Sequence, residues 1–322
     1  MLTAFAGQGG KLLRTSDHLG QALWIDLVNA TVSEIERVAH ETGLAIPTEA
    51  AINEIESSSR LSMRGDAIYL SMPLVSRPET EPRSISLGFV LTTERLITVR
   101  FASSRLFDRF MEHLPQTDAV ARSSSHVFVG LLEAIIDHQA DALEQVRTEL
   151  DSISQRIFCT DMAAASGGKR EDTTLRSTLI ALGRIGDLVS HIRESQVNAA
   201  RIIPYVETVA ADWLPKELRS RFRTLRRDIA SLNDFDTHLN DKLQFMLDAT
   251  LGFINIAQNN VMKVLTVTSV AGIPPVVVAG IYGMNFKFMP ELDWVWGYPY
   301  SLALIALTTL IPIIVFRWRG WI

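Results

Sequence analysis

Apolar positions along this chain fall into three textures, and each predicts a different kind of element. Near the C-terminus the texture is continuous: no residue is charged from Val264 to Phe286, and none from Trp294 to Phe316. At about 1.5 Å per residue, even Val264–Tyr282 reaches roughly 28 Å, the thickness of a bilayer's hydrocarbon core. The pattern predicts two membrane spans, with a pair of buried core helices as the competing reading. In the middle the texture has helical period. Phe128, Leu131, Leu132, Ile135, Leu143, Val146, Leu150, Ile153 and Ile157 mark one long amphipathic helix, closed by the linker AAASGGK; a second runs from about Asp172 to Val206. From Pro215, the series Leu225, Ile229, Leu232, Leu239, Leu243, Met246 and Phe253 keeps coiled-coil-like spacing and meets no stop before the first span. One helix from about Pro215 to Tyr282, on the order of 100 Å long, is expected.

The N-terminal texture is mixed. β-like runs occupy 22–28, 67–75, 84–92 and 95–102, and helical stretches lie around 31–42, 47–58 and 103–114. TTER, between the last two strands, reads as a hairpin turn without the usual glycine. The fold class expected is an α+β membrane protein: an N-terminal α/β domain (1–125), a helical hairpin (126–214), and a stalk helix (215–282) continuing into a first span at about 262–282. An outer loop (283–297), a second span (298–317) and a short tail (318–322) complete it.

The first span is not uniformly apolar. At alternating spacings of three and four, Asn255, Asn259, Met262, Thr266, Ser269, Ile273, Val276 and Gly280 fall on one face. Lipid has no use for amides and hydroxyls, so this stripe is expected to face protein or water; a small-residue helix contact is the plainer alternative. The second span, SLALIALTTLIPIIVF, is almost wholly aliphatic and suits a lipid-facing shield. A two-span hairpin cannot enclose a channel, so a pore reading requires several copies around an axis with the striped helix inside. Met262, Ile273 and Val276 would then form apolar constrictions, and Pro274-Pro275 would kink the span.

Charge sets the orientation. The chain has net charge −5, but Lys263, Lys287, Arg317 and Arg319 stand against only Glu291 and Asp293 from Val261 onward, so an acidic body precedes a slightly basic tail. An acidic body argues against nucleic acid and suits cations. The Lys/Arg excess beside the outer ends of the spans puts both termini in the cytoplasm and the connector outside. Trp294, Trp296, Tyr298, Tyr300, Trp318 and Trp321 form the expected interfacial belts. A lone cysteine, Cys159, and an N-terminus without an apolar leader predict that the bulk of the chain faces a reducing cytosol.

Catalytic chemistry finds little support. GGK lacks the strand and the hydroxyl residue of a phosphate loop. Asp137, His138 and Asp141 have ligand-like helical spacing but read as the wet face of a long helix, and Ser123-Ser124-Ser125-His126 reads as a loop and helix start. No enzyme and no organic cofactor are expected.

The connector carries a more specific signal. YGMNF (282–286), MPEL (289–292), WGYP (296–299) and the basic end RWRGWI resemble the CorA family of magnesium transporters, and WIDL (24–27), INEIESSSR (52–60) and VMKVLTV (261–267) extend the likeness. The resemblance implies a homopentameric funnel in the cell (inner or plasma) membrane, carrying Mg2+, with Co2+ or Ni2+ as companions. It makes Gly283, Met284 and Asn285 the selectivity filter. Mg2+ gives up water reluctantly, so a neutral ring of Asn285 amide oxygens would accept hydrogen bonds from the hydrated ion rather than strip it. Glu291 and Asp293 would concentrate cations at the mouth. The resemblance also implies gating by cytoplasmic Mg2+ through carboxylates, with Glu54 in INEI standing where the family has LEDI, and Asp228 as stalk partner. Two alternatives remain: a proton-coupled zinc transporter of the same superfamily, and a membrane-anchored metal sensor.

Overall fold

In the computed structural model the described residues are 1–8, 11–15, 19–54, 56, 60–76, 83–113, 122–160, 168–285, 287, 289–290 and 293–321. Seven strands, β1 (Leu2–Gln8), β2 (Lys11–Thr15), β3 (Trp24–Val28), β4 (Leu61–Arg64), β5 (Ala67–Ser76), β6 (Arg83–Leu91) and β7 (Leu96–Arg100), form one sheet in the order β2-β1-β3-β7-β6-β5-β4. Among the described strands only β3 and β7 pair in parallel. The helices are α1 (Val32–Thr42), α2 (Glu49–Ile52), α3 (Arg105–His113), α4 (Ser124–Thr160), α5 (Gly168–Val209), α6 (Lys216–Tyr282) and α7 (Gly297–Trp318).

Strand periodicity divides the core between the two sheet faces. Ile25, Leu27, Val90, Ile97 and Val99 face Val38 of α1 and Ile52 of α2. The alternate positions, including Trp24, Leu87, Phe89 and Leu96, pack with Val127, Phe128, Leu131 and Ile135 of α4, Ile202 and Val206 of α5, and Phe222 of α6. The central parallel pair is covered on both sides, yet β3 and β7 contribute Asp26, Thr98 and Arg100 to the helix-facing side. All three are buried and joined. Trp24 Nε1 donates to Thr98 Oγ1 at 3.0 Å, Thr98 Oγ1 donates to Asp26 Oδ1 at 2.7 Å, and Arg100 Nη2 donates to Asp26 Oδ2 at 2.8 Å. The Arg100 guanidinium lies 4.5 Å from the centroid of Phe107.

Where the pattern and the structure differ, the cause is local. Of the helical stretch expected over 47–58, the described residues hold one turn, Glu49–Ile52, capped by Thr48, whose Oγ1 accepts the Ala51 N–H at 3.4 Å; 55, 57 and 58 lie outside the described residues. Asn53 caps its C-terminal end, and its side-chain oxygen accepts a hydrogen bond from Ser86 Oγ of the sheet. Three strands, β1, β2 and β4, are not announced by the pattern; β4 has only four residues, and β1 mixes Ala, Gly and Thr among its apolar positions. Thr92–Arg95 does turn β6 into β7, closed by Thr92 N–H donating to Arg95 O at 2.9 Å. No residue of that turn has positive φ, so glycine is not required there.

α4, α5 and α6 are joined by side chains as well as by apolar contact. His126 Nε2 lies 2.7 Å from Glu217 Oε1, Arg221 grips Glu133 with two nitrogens, and Gln139 Nε2 donates to Ser195 Oγ at 2.7 Å. The described residues of Met1–Ala163 and Thr178–Leu247 form one compact unit, and those of Ala164–Ser177 and Asp248–Ile322 a second.

Candidate ion pathway

α6 is one unbroken helix through Pro274 and Pro275. Neither proline has an N–H, so the carbonyls of Val270 and Ala271 lose their donors four residues on. The apolar windows of α6 and of α7 have mean hydropathy 2.0 and 2.1, and 6% and 0% of them are buried. Core helices of that composition would be covered, so the buried-hairpin reading is set aside. These are membrane spans.

On the first span the eight stripe residues are found on one helix, and none is buried. Met262, Ile273 and Val276 are 58, 60 and 70% exposed. Thr266 Oγ1 donates to Met262 O at 2.7 Å, leaving its lone pairs free to accept. Thr268, off the stripe, makes the same bond to Val264 O at 2.9 Å, so this bond alone does not mark the stripe. On α7, Thr308 and Thr309 both close onto Ile305 O, at 3.0 and 2.9 Å. Both threonine hydroxyls are satisfied within the helix.

The end of α6 is where the candidate filter stands. Gly283 N–H donates to Ala279 O at 2.9 Å and Met284 N–H to Ile281 O at 3.2 Å, so the ladder tightens over the last turn. Gly283 is not left-handed; its lack of a side chain matters because a Cβ would lie 3.1 Å from Ala279 O. Asn285 follows outside the helix, exposed, and its amide has no partner among the described residues. Asp293 is exposed, whereas Glu291 lies outside the described residues. Trp294 packs against Tyr300, with centroids 5.8 Å apart, at the start of α7. The other end of α7 stops at Gly320 (φ 68°): Trp321 N–H donates to Phe316 O at 2.9 Å, Gly320 N–H donates to Arg317 O at 3.1 Å, and Phe316 and Trp321 stack.

The two candidate regulatory carboxylates are in separate settings. Glu54 is exposed in a hollow with Ala50, Asn53 and Glu56, and its carbonyl accepts from Arg60 Nε at 2.7 Å. Asp228 is exposed on α6 and close enough to Asp137 of α4 to act on its charge. Burial first, then Glu133, Asp141 and Asp228, push the Asp137 carboxyl above the usual carboxylate range. No group of three or more His, Cys, Asp or Glu able to hold a metal occurs among the described residues. The charge neighbourhood of Asp137 escapes sequence reading because it joins helices about 90 residues apart.

A sheet-and-helix domain on a long helix that enters the membrane, ends at Gly-Met-Asn and is followed by a second apolar helix defines a two-span membrane transporter rather than an enzyme. The chain belongs to the CorA family: residues 20–318 match the family described as "CorA-like Mg2+ transporter protein". It is 30% identical over 327 residues to the magnesium transport protein CorA of Yersinia pseudotuberculosis serotype I (strain IP32953), with 100% of both chains covered. Its fold is similar to that of the complete CorA magnesium transporter of Methanocaldococcus jannaschii, with TM-score 0.76 and 19% identity, covering 100% of this chain and 99% of that one. The ZntB cytoplasmic domain of Vibrio parahaemolyticus RIMD 2210633 is more distant, with TM-score 0.55 and 11% identity over 79% of this chain and 97% of that one.

Proposed function

We propose that this chain is one subunit of a homopentameric channel in the cell membrane, with both termini cytoplasmic, that takes up Mg2+ and admits Co2+ or Ni2+ less selectively. The observation that carries the reading is Asn285, an exposed amide with no partner among the described residues, immediately beyond an apolar span. Five copies around an axis would turn it and the backbone of Gly283 and Met284 into a neutral oxygen ring for a hydrated cation. The striped face of α6, from Asn255 to Gly280, would line the path below, with Met262, Ile273 and Val276 as constrictions. Asp293 and Glu291 would raise the cation concentration at the mouth.

Regulation by cytoplasmic Mg2+ follows the same logic. Mg2+ favours about six oxygens and keeps several waters; Glu54 and Asp228 supply exposed carboxylates, and water and a neighbouring copy would complete each shell. A bridging ion would favour the closed state, and its loss would release it. The zinc-transport reading is disfavoured because neither span contains His, Cys or a carboxylate.

Liposomes carrying the purified protein, offered Mg2+, Co2+, Ni2+ or Zn2+ with and without a proton gradient, test the ion and its coupling. Asn285→Leu is expected to leave assembly intact by size-exclusion chromatography and to abolish Mg2+ uptake; full uptake in that variant would overturn the filter. Glu54→Ala and Asp228→Ala are expected to weaken inhibition by internal Mg2+, and unchanged inhibition would remove these residues as sensors.

A further inference from the structure

The sheet-bearing unit holds a second concavity, remote in kind from the membrane chemistry. A cavity of about 220 Å³ opens between Pro47 and Ile52 on one side and Arg60, Ser62, Arg64 and Ser71 on the other. Strand register assembles it: Ser62 and Arg64 alternate along β4 opposite Tyr69 and Ala67 of β5, and Ser71 lies two residues beyond Tyr69. Across the next ladder Ser71 faces Gly88, where a Cβ would meet Ile52 Cδ1 at 2.6 Å. At that point α2 sits directly on the sheet, and the cavity is the space left open beside the contact.

Among the described residues its lining contains two arginines and no carboxylate, in a chain of net charge −5. Arg60 is anchored and already paired: Nη1 donates to Asn198 Oδ1 at 2.9 Å, Nε holds the Glu54 carbonyl, and Nη2 lies 3.6 Å from Glu194 Oε1. Arg64 lies over the Tyr69 ring, 5.3 Å from its centroid, and has no carboxylate partner among the described residues. Ser71 is 5% exposed and its hydroxyl has no hydrogen-bond partner among the described residues. A buried orphan hydroxyl beside a cavity calls for a bound polar group. The remaining walls, Ile46, Leu70 and Phe89 among them, are apolar. The volume, below the roughly 300–1,000 Å³ of drug-sized sites, is on the scale of a small organic molecule.

We propose that this cavity binds a small organic anion, a carboxylate or phosphate monoester on a flat apolar body. Arg64 holds the anionic group; Tyr69 and the apolar walls hold the body; Ser71 meets a polar edge. The assignment does not depend on ion transport, and its test reads binding alone.

The purified full-length protein is titrated calorimetrically with phenyl phosphate, benzyl alcohol and inorganic phosphate. One phenyl phosphate per chain is expected, with Kd about 1 mM or tighter, and weaker binding of the other two compounds. Arg64→Gln is expected to weaken phenyl phosphate about tenfold or more, and Arg64→Lys to restore part of the loss. Circular dichroism checks the fold, and Ala51→Leu, which narrows the cavity from the α2 side, supplies an independent loss of binding. No saturation by about 10 mM, parent-like affinity in Arg64→Gln or in Ala51→Leu, or inorganic phosphate binding as tightly as phenyl phosphate would each overturn the proposal.

Discussion

The sheet-bearing unit and the span-bearing unit satisfy their polar atoms in opposite ways. In the first, polar groups buried in the core reach across elements: Trp24, Asp26, Thr98 and Arg100 join two strands whose residues are more than 70 positions apart. In the spans, Thr266, Thr268, Thr308 and Thr309 each close onto a carbonyl of their own helix, three or four residues back. Apolar side chains divide the same way. Trp24, Phe107 and Phe222 are fully covered, whereas Val276 and Leu307 are 70 and 56% exposed. The first unit buries its large core side chains within one chain; the spans leave theirs exposed, as segments facing lipid do.

The largest effect that would test this contrast is Asp26→Ala. It strands Arg100 in the core without its carboxylate, and breaking a buried pair from one side costs about 3–5 kcal/mol. Urea or thermal unfolding of the detergent-solubilised protein should show the chain strongly destabilised. A loss under about 1 kcal/mol would mean that water reaches Arg100 and that the core is not closed.

A paired threonine experiment is the next in size. Thr98→Val removes a hydroxyl that both accepts from Trp24 and donates to Asp26, leaving two buried partners short, at about 1–3 kcal/mol. Thr308→Val removes a hydroxyl that serves only its own helix, and the expected change is below about 0.5 kcal/mol. Equal losses at both positions in the same unfolding assay would erase the distinction between the two units.

The same contrast explains what could be read from sequence. The spans, the stripe from Asn255 to Gly280 and the long helix through Leu225, Leu239 and Phe253 depend on spacing within one element, so local periodicity exposes them. The strands at β3, β5, β6 and β7 were legible for the same reason. The parallel pairing of β3 with β7 was not: Trp24 meets Leu96 only after the three intervening strands β4, β5 and β6 have been placed. β4 was missed because four residues carry too little alternation, and with it went the cavity walled by Ser62 and Arg64. The hold of Arg60 on Asn198 likewise spans 138 residues, and no local pattern announces it.

Two carboxylates complete the comparison, with opposite pH signs. Asp236 is 1% exposed; burial raises its carboxyl above the model-peptide value of 3.8, the Arg193 guanidinium 3.8 Å away opposes this, and Oδ1 has no partner among the described residues. A raised folded value means that ionised Asp236 costs stability above it. The cost fades as pH falls from the folded value toward 3.8. Asp236→Asn should therefore stabilise the protein by about 1 kcal/mol near neutrality and lose that advantage in acid. Glu217 has the reverse sign and the smallest effect. The hydrogen bond from His126, more than the nearby Arg122, holds its carboxyl below 4.5. The stability this lends is present above 4.5 and disappears as pH falls through the depressed folded value. Unfolding midpoints of Glu217→Gln and the parent should differ near neutrality and converge in acid; a constant offset down to the lowest measurable pH would show that the His126 contact stabilises through geometry rather than charge.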